Sequence, residues 1–308
     1  MSLDTLKAVA VMNSLTATFD NRVGASEPFY PEITTERKST RKGEDYGYPG
    51  NVPGVREWIG DRKFKELRAA KFAIENRHWE SSLAVKKTDI EDDNMGMYPP
   101  LMEELADEAT YHPDELVFET LLAGESEPCF DGQSYFDVDH QWGDSGSQSN
   151  DLTYEAAADP ALPTVAEFAA AYEQARQAMI GFKRDNGKTF IRPTVKNLTG
   201  LLLLVPVELQ LIANKALFQE VNSGGESNMV LDAPTIITSG FLTDATKFYL
   251  FKLDMPLKPL VFQARAPLSR ATKGLDDIET KIVKFMTEAR YSVGYLAWWT
   301  AVLTTFTT

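Results

Sequence analysis

Apolar positions recur at helical spacing in some stretches of the chain and alternate or cluster in others, and that division predicts the elements. Residues 1–19 read as an amphipathic helix, with Leu3, Leu6, Ala10 and Leu15 on one stripe and Met12 and Phe19 at its margins. From residue 22 to 50 the periodicity is lost. Pro28, Pro31, Pro49 and the charged run from Glu36 to Asp45 describe an extended arm with too little apolar surface to close a core, so it is either disordered or ordered by another subunit. Alternation at Phe72 and Ile74, then at Leu83 and Val85, predicts two strands joined around Asn76 to Ser82, part of a long basic excursion over 51–87.

A helical period returns at Pro99. Leu101, Met102, Leu105, Ala109, Leu116, Val117 and Leu121 keep it up to Gly124, with Pro113 marking either a kink or the first turn of a second helix. Cys129 to Phe136 reads as a short hairpin. Thr164 followed by Glu167 is a capping box that opens a helix carrying Val165, Phe168, Tyr172, Ala175 and Met179. The run Leu201 to Val205 reads as a buried strand, with Pro206 at the first position of a helix over 207–219. Residues 229–265 are strand-rich, and Ile282, Phe285, Tyr291, Tyr295, Trp298 and Trp299 look like closing strands of a principal core. Helices and strands do not alternate at a βαβ spacing, so the fold class is α+β.

Composition is that of a globular chain: 308 residues, 43% hydrophobic and 25% charged, enough for about two domains. The net charge of -14 is unevenly distributed. Residues 88–175 hold 22 acidic side chains and no Lys or Arg, whereas residues 1–87 are net +3. An acidic balance argues against an ordinary duplex-DNA reader. One cysteine, Cys129, excludes an internal disulfide framework and reads as a small buried hydrophobe. Neither a secretory leader nor a membrane-spanning run is visible.

The chemical inventory is poor. There is no Gly-x-Ser-x-Gly elbow, no Gly-x-Gly-x-x-Gly fingerprint and no phosphate-binding loop ending in Gly-Lys-Ser/Thr. The best metal candidate is Asp137-Val138-Asp139-His140, with Asp131 beside it, which a metal-dependent hydrolase could use. A solvated turn explains the same residues better. His78 and His112, next to Trp79 and Tyr111, read as structural hydrogen-bonding groups rather than pH switches. Trp298-Trp299 lacks neighbouring bases, which favours core or subunit packing over base stacking. A helix, an arm and an excursion that cannot stabilise themselves point to an assembling component.

Longer segments carry a family resemblance. Ala73-Ile74-Glu75-Asn76-Arg77-His78-Trp79-Glu80, Asp89 through Pro100, His112-Pro113-Asp114-Glu115-Leu116-Val117-Phe118 and Phe130 through His140 occur in that order, followed by Tyr249 through Pro259 and Ala289 through Tyr295. Together they resemble the major head subunit of Mu-like tailed phages and prophages. The resemblance implies the α+β tailed-phage major capsid fold (HK97-like). It implies an N-terminal arm region at 1–50, an extended loop at 51–90, a spine helix near 99–123 and first part of a peripheral domain within 91–200, an axial domain at 201–265, and closing peripheral strands at 266–308.

As that family works, hexamers and pentamers of the subunit build an icosahedral head shell around scaffold, with a portal protein, and the shell then encloses double-stranded DNA. The implied partners are many copies of itself, scaffold, portal and non-specific contact with packaged DNA, with no membrane, no cofactor and no catalysis. The implied location is the virion head, and the host cytoplasm during assembly. Arg37, Lys38, Arg41, Lys42, Arg62, Lys63, Lys65, Arg68 and Lys71 are expected to make intersubunit ion pairs, and Trp58 and Trp79 to anchor apolar contacts. Truncation before Gly50 is expected to spare the folded body. The alternatives are the hydrolase and another phage structural protein, a decoration or tail-tube subunit.

Overall fold

Leu201 to Val205 offer no polar face to water, so a strand made from them has to be covered on both sides. The computed structural model describes residues 3–46, 72–92, 95–191, 198–219, 232–274 and 281–308, and all five of these side chains are buried in it. The helices are α1 (Leu3–Ala25), α2 (Tyr30–Ile33), α3 (Lys87–Glu91), α4 (Tyr98–Leu122), α5 (Val165–Gly181) and α6 (Gln210–Phe218). The strands are β1 (Thr34–Lys38), β2 (Gly43–Tyr46), β3 (Phe72–Glu75), β4 (Arg77–Lys86), β5 (Asp151–Glu155), β6 (Leu201–Val205), β7 (Thr235–Thr238), β8 (Lys247–Lys252), β9 (Leu260–Lys273), β10 (Ile282–Tyr295) and β11 (Ala301–Thr307). Helices and sheets mix without a βαβ repeat, which is the α+β class.

The first body is built on the five-stranded sheet β5-β11-β8-β6-β7, parallel at its outer pairs and antiparallel through its centre. Helix α5 starts at the expected capping box. The Glu167 amide donates to Thr164 Oγ1 at 3.2 Å and the Thr164 amide to Glu167 Oε2 at 2.7 Å. Its buried stripe sets Phe168 5.2 Å from Phe248 and 5.9 Å from Phe306, ring to ring. Trp299 stacks on Phe190 at 4.3 Å, so the tryptophan pair packs within this chain. Pro206 caps a 3₁₀ turn at Val207–Leu209 rather than opening the helix, which starts at Gln210. Before β6, Gly200 holds φ at +65°, where a side chain would also meet Asp254.

The second body is the four-stranded sheet β1-β9-β10-β4 with α1 and the first half of α4 on one face. Strand β10 buries alternate residues, Val283, Phe285, Thr287 and Ala289. Phe285 meets Phe19 of α1 at 5.2 Å. The buried stripe of α1 is Ala8, Met12, Leu15 and Phe19: of the expected stripe Leu15 is on it, whereas Leu6 is 51% exposed and Ala10 is exposed as well, and Met12 and Phe19 are central rather than marginal. The helix also runs six residues further than expected, to Ala25. Arg22 grips Asp107 of α4 through two bonds of 2.7 and 2.6 Å, and Arg270 of β9 reaches Asp20 at 2.6 Å.

Helix α4 is one element. Pro113 lies inside it and no second helix begins there; packing at Met102 and Ala106 on one side and Val117, Phe118 and Leu121 on the other outweighs the missing amide. Residues 22–46 are not an unpartnered arm. Ile33 is fully buried in the main core, and β1 pairs in parallel with β9 of the same chain through backbone bonds that need no apolar side chains. Nor do β3 and β4 form a hairpin. Only Asn76 separates them, β3 pairs with β2, and β4 pairs with β10. The expected boundaries at 200, 265 and 266 cut across both sheets, since β9 spans residue 265 and β11 lies between β5 and β8 in the sheet that holds β6.

Candidate functional site

The exposed cations of the arm sit on and after β1. Parallel pairing with β9 registers Arg37 against Gln263 and Lys38 against Ala264, and leaves both cationic side chains exposed, with no ion pair among the described residues. In the turn that follows, Glu44 accepts the amides of Thr40 (2.8 Å) and Arg41 (3.2 Å), and these bonds, led by that of Thr40, hold its carboxyl below the usual range. Arg41 and Lys42 therefore project from a fixed turn. Lys42 reaches Glu75 at 3.6 Å in the open.

A buried polar network anchors this turn. Asn76 donates its amide nitrogen to Arg41 O (3.0 Å) and Ser39 Oγ (2.8 Å), and accepts from Gln263 Nε2 (2.8 Å). Gln263, fully buried, also donates to Ile74 O and accepts the Tyr46 hydroxyl at 2.9 Å. Burial pushes the Tyr46 phenol up to about 12, so it stays a donor at neutral pH. Each amide group has its complement, which is what a buried network needs to be stable.

Asp114 performs a related task from α4. Its carboxylate accepts the amides of Phe29 (2.9 Å) and Tyr30 (2.6 Å) at the start of α2, where no local side chain caps the helix. Burial raises its carboxyl above the usual range, opposed by those two bonds. The sequence signal for this clamp was an acid directly after a proline in an apolar run.

Of the residues expected to meet a neighbour, Arg37, Lys38, Arg41 and Lys42 lie together on this edge. Trp58, Arg62, Lys63, Lys65, Arg68 and Lys71 lie outside the described residues. Trp79 is half-buried in its own chain: its Nε1 donates to Tyr291 O at 3.1 Å, and its ring lies 4.3 Å from that of His112.

The metal candidate disperses. Asp137 Oδ1 accepts the Asp139 amide, and Val138 between them is 65% exposed, so no strand aligns the two carboxylates. His140 is fully buried instead. Its Nδ1 meets Asp131 Oδ2 at 2.7 Å, its Nε2 faces Asn150 Oδ1 (3.1 Å) and Tyr135 O (3.3 Å), and its ring stacks on Trp298 at 4.1 Å. All these partners can accept a hydrogen bond, and together with the Trp298 stack they fix the ring in place. Among the described residues no cluster of His, Cys, Asp and Glu could hold a metal ion. Asp131 and His140 are thus engaged with each other inside the chain, while Asp137 and Asp139 stay in the turn outside it. Cys129 is buried, and desolvation pushes its thiol well up, away from nucleophilic use. Among the described residues no helix is long and apolar enough to cross a membrane.

Comparison with known proteins places the chain in a family. The family model of the Mu-like prophage major head subunit gpT matches residues 8–162 and 166–242. The Mu-like prophage FluMu major head subunit of Haemophilus influenzae is 46% identical over 114 residues, 37% of this chain and 37% of that protein. The major capsid protein of Escherichia phage Mu is 34% identical over 131 residues, 42% of this chain and 43% of that one. The matched segments span about two-fifths of these curated relatives. A chain from the procapsid of bacteriophage JBD30 superposes with a TM-score of 0.54 at 25% identity, over 98% of this chain and 75% of that chain. The fold is therefore the HK97-like fold of phage capsid proteins. With its family model matched across most of residues 8–242, the chain belongs to the Mu-like prophage major head subunits.

Proposed function

We propose that this chain is the major capsid protein of a Mu-like phage or prophage head, assembling as hexamers and pentamers into an icosahedral shell around packaged double-stranded DNA, without bond-making chemistry. The observation that carries the proposal is the likeness of nearly the whole chain, 98% of it, to a procapsid chain. The four-stranded sheet with α1 and α4 is the peripheral unit in this reading, and the five-stranded sheet with α5 and α6 is the axial one. Arg37, Lys38, Arg41 and Lys42 are its intersubunit cations on the described part of the chain. Scaffold and portal are its assembly partners, contact with DNA is non-specific, and its places are the host cytoplasm and then the virion head. Negative-stain microscopy of particles purified after expression should find closed shells with five- and sixfold clusters. Linear tubes, or subunits that only bind preformed shells, would overturn it.

A further inference from the structure

A cavity of about 130 Å³ opens between α4 and the β4–β10 pair, and nothing described above uses it. Three rings line it: Tyr291, which is buried, and Trp79 and His112, both half-buried. Trp79 lies 4.3 Å from His112 and 6.0 Å from Tyr291, ring to ring. His112 Nδ1 meets the Tyr291 hydroxyl at 2.7 Å and Trp79 Nε1 donates to the Tyr291 carbonyl, so the three rings hold one another and form an aromatic wall. Three exposed carboxylates complete the lining, Glu80 from β4, Glu108 from α4 and Glu288 from β10. Among the described residues none of them pairs with Lys or Arg. Glu288 has His78 at 3.5 Å, and Glu80 accepts the Ser82 hydroxyl at 2.9 Å.

Aromatic faces ringed by carboxylates favour an organic cation, whose methylenes pack on the rings while its head meets the acids. The sheet order says where such a cation comes from. In β1-β9-β10-β4, the pocket adjoins the β4 edge, while the exposed Arg37 and Lys38 lie on β1, the opposite edge. One chain cannot bring its own β1 edge to its own β4 edge. A second copy can, and a contact between unlike edges repeats head to tail, giving a ring when the rotation between copies closes. We infer that this pocket receives Arg37 or Lys38 from the β1 edge of a second copy, an inference that rests on the shell reading and assigns one of its contacts.

The test reads assembly and Trp79 together. Hydroxyl-radical footprinting of purified shells should find Trp79 oxidised several-fold more slowly than in free subunits. The pair Glu108→Lys and Glu288→Lys should cut the assembled fraction about tenfold, and adding Arg37→Glu and Lys38→Glu should restore it. Glu108→Gln with Glu288→Gln keeps side-chain volume and should lower assembly with unchanged circular dichroism, which separates a lost contact from a lost fold. Closed shells in which Trp79 is as reactive as in free subunits, or a four-fold charge swap that restores nothing, would overturn the pocket contact and leave the shell reading standing. If the unaltered chain forms no shells at all, both fall together.

Discussion

The two bodies of this chain bury their apolar residues in different ways. The five-stranded body is closed: β6 is buried at every position, β8 and β11 nearly so, and α5, α6 and the second half of α4 complete a single large cluster. Among the described residues the four-stranded body is buried on both faces only at the Leu260 end of β9 and the Tyr295 end of β10, and is otherwise covered on one face. Most of β4 and the whole second half of β9 beyond Leu268 are exposed, and its buried clusters are small. A body that fills its own core gains little from a neighbour. One with long strands, an acidic aromatic pocket and a basic edge still has surface to bury, and it is there that copies of the chain have most to gain from contact.

The strongest way to break this comparison is to delete residues 1–46. Because α1 supplies Ala8, Met12, Leu15 and Phe19, and β1 pairs with β9, the deletion should unfold the four-stranded body rather than spare it, contrary to the expectation from sequence. Hydrogen exchange should then speed up across β10 at Val283 to Ala289 while β6 and β8 stay protected. A soluble variant with unchanged exchange in β10 would show that the arm is dispensable.

Next in size is His140→Ala in the closed body. Stripping one partner from the buried His140–Asp131 pair should cost roughly 3–5 kcal/mol in chemical denaturation. A cost below about 1 kcal/mol would place that pair in the class of surface contacts.

Asp114→Asn, at the seam between α2 and α4, should cost about 1–3 kcal/mol, because one of the two amides loses its acceptor. It should also change the pH profile. The folded chain holds the Asp114 proton more tightly than the unfolded chain does, so ionisation lowers stability. That loss begins as pH rises past the unfolded carboxylate value and is complete above the raised native one; the asparagine variant should lack this downward slope. An identical profile in both chains would exclude Asp114 as its source.

Smallest is Lys42→Ala. Its exposed pair with Glu75 should be worth no more than about 0.5 kcal/mol to the subunit. Any effect on assembly should shrink as salt rises, since screening removes the same term from the parent chain.

How far the sequence revealed these elements follows the range of the interactions that make them. The capping box of α5 spans three residues and β6 is a single apolar run, so both were visible directly. The stripe of α1 was not, because apolar residues flank it on both sides and its partner, Phe285, decides which side is buried. The connection between β3 and β4 was placed too long, at Asn76 to Ser82, for a similar reason: Asn76 alone makes the break and is fixed by Ser39, Arg41 and Gln263, far away in the chain. The arm looked unstable because its apolar residues are few, yet strand pairing holds it by backbone. At the candidate site, the basic edge was legible as a charge run. The pocket was not, since Trp79, His112 and Tyr291 converge from three elements.

Strand β10 belongs to both bodies, with Phe285 in one core and Tyr295 in the other. At about 3.4 Å per residue its 14 residues form a strut of about 45 Å, doubled along most of its length by β9. A tilt of one degree at one end displaces the other by about 0.8 Å over that length. The register shift between Glu288 and Tyr291 is where the strut bends most easily, and it lies beside the Trp79 pocket. Occupying that pocket would therefore set the angle between the two bodies, and with it the curvature that each copy imposes on whatever it builds.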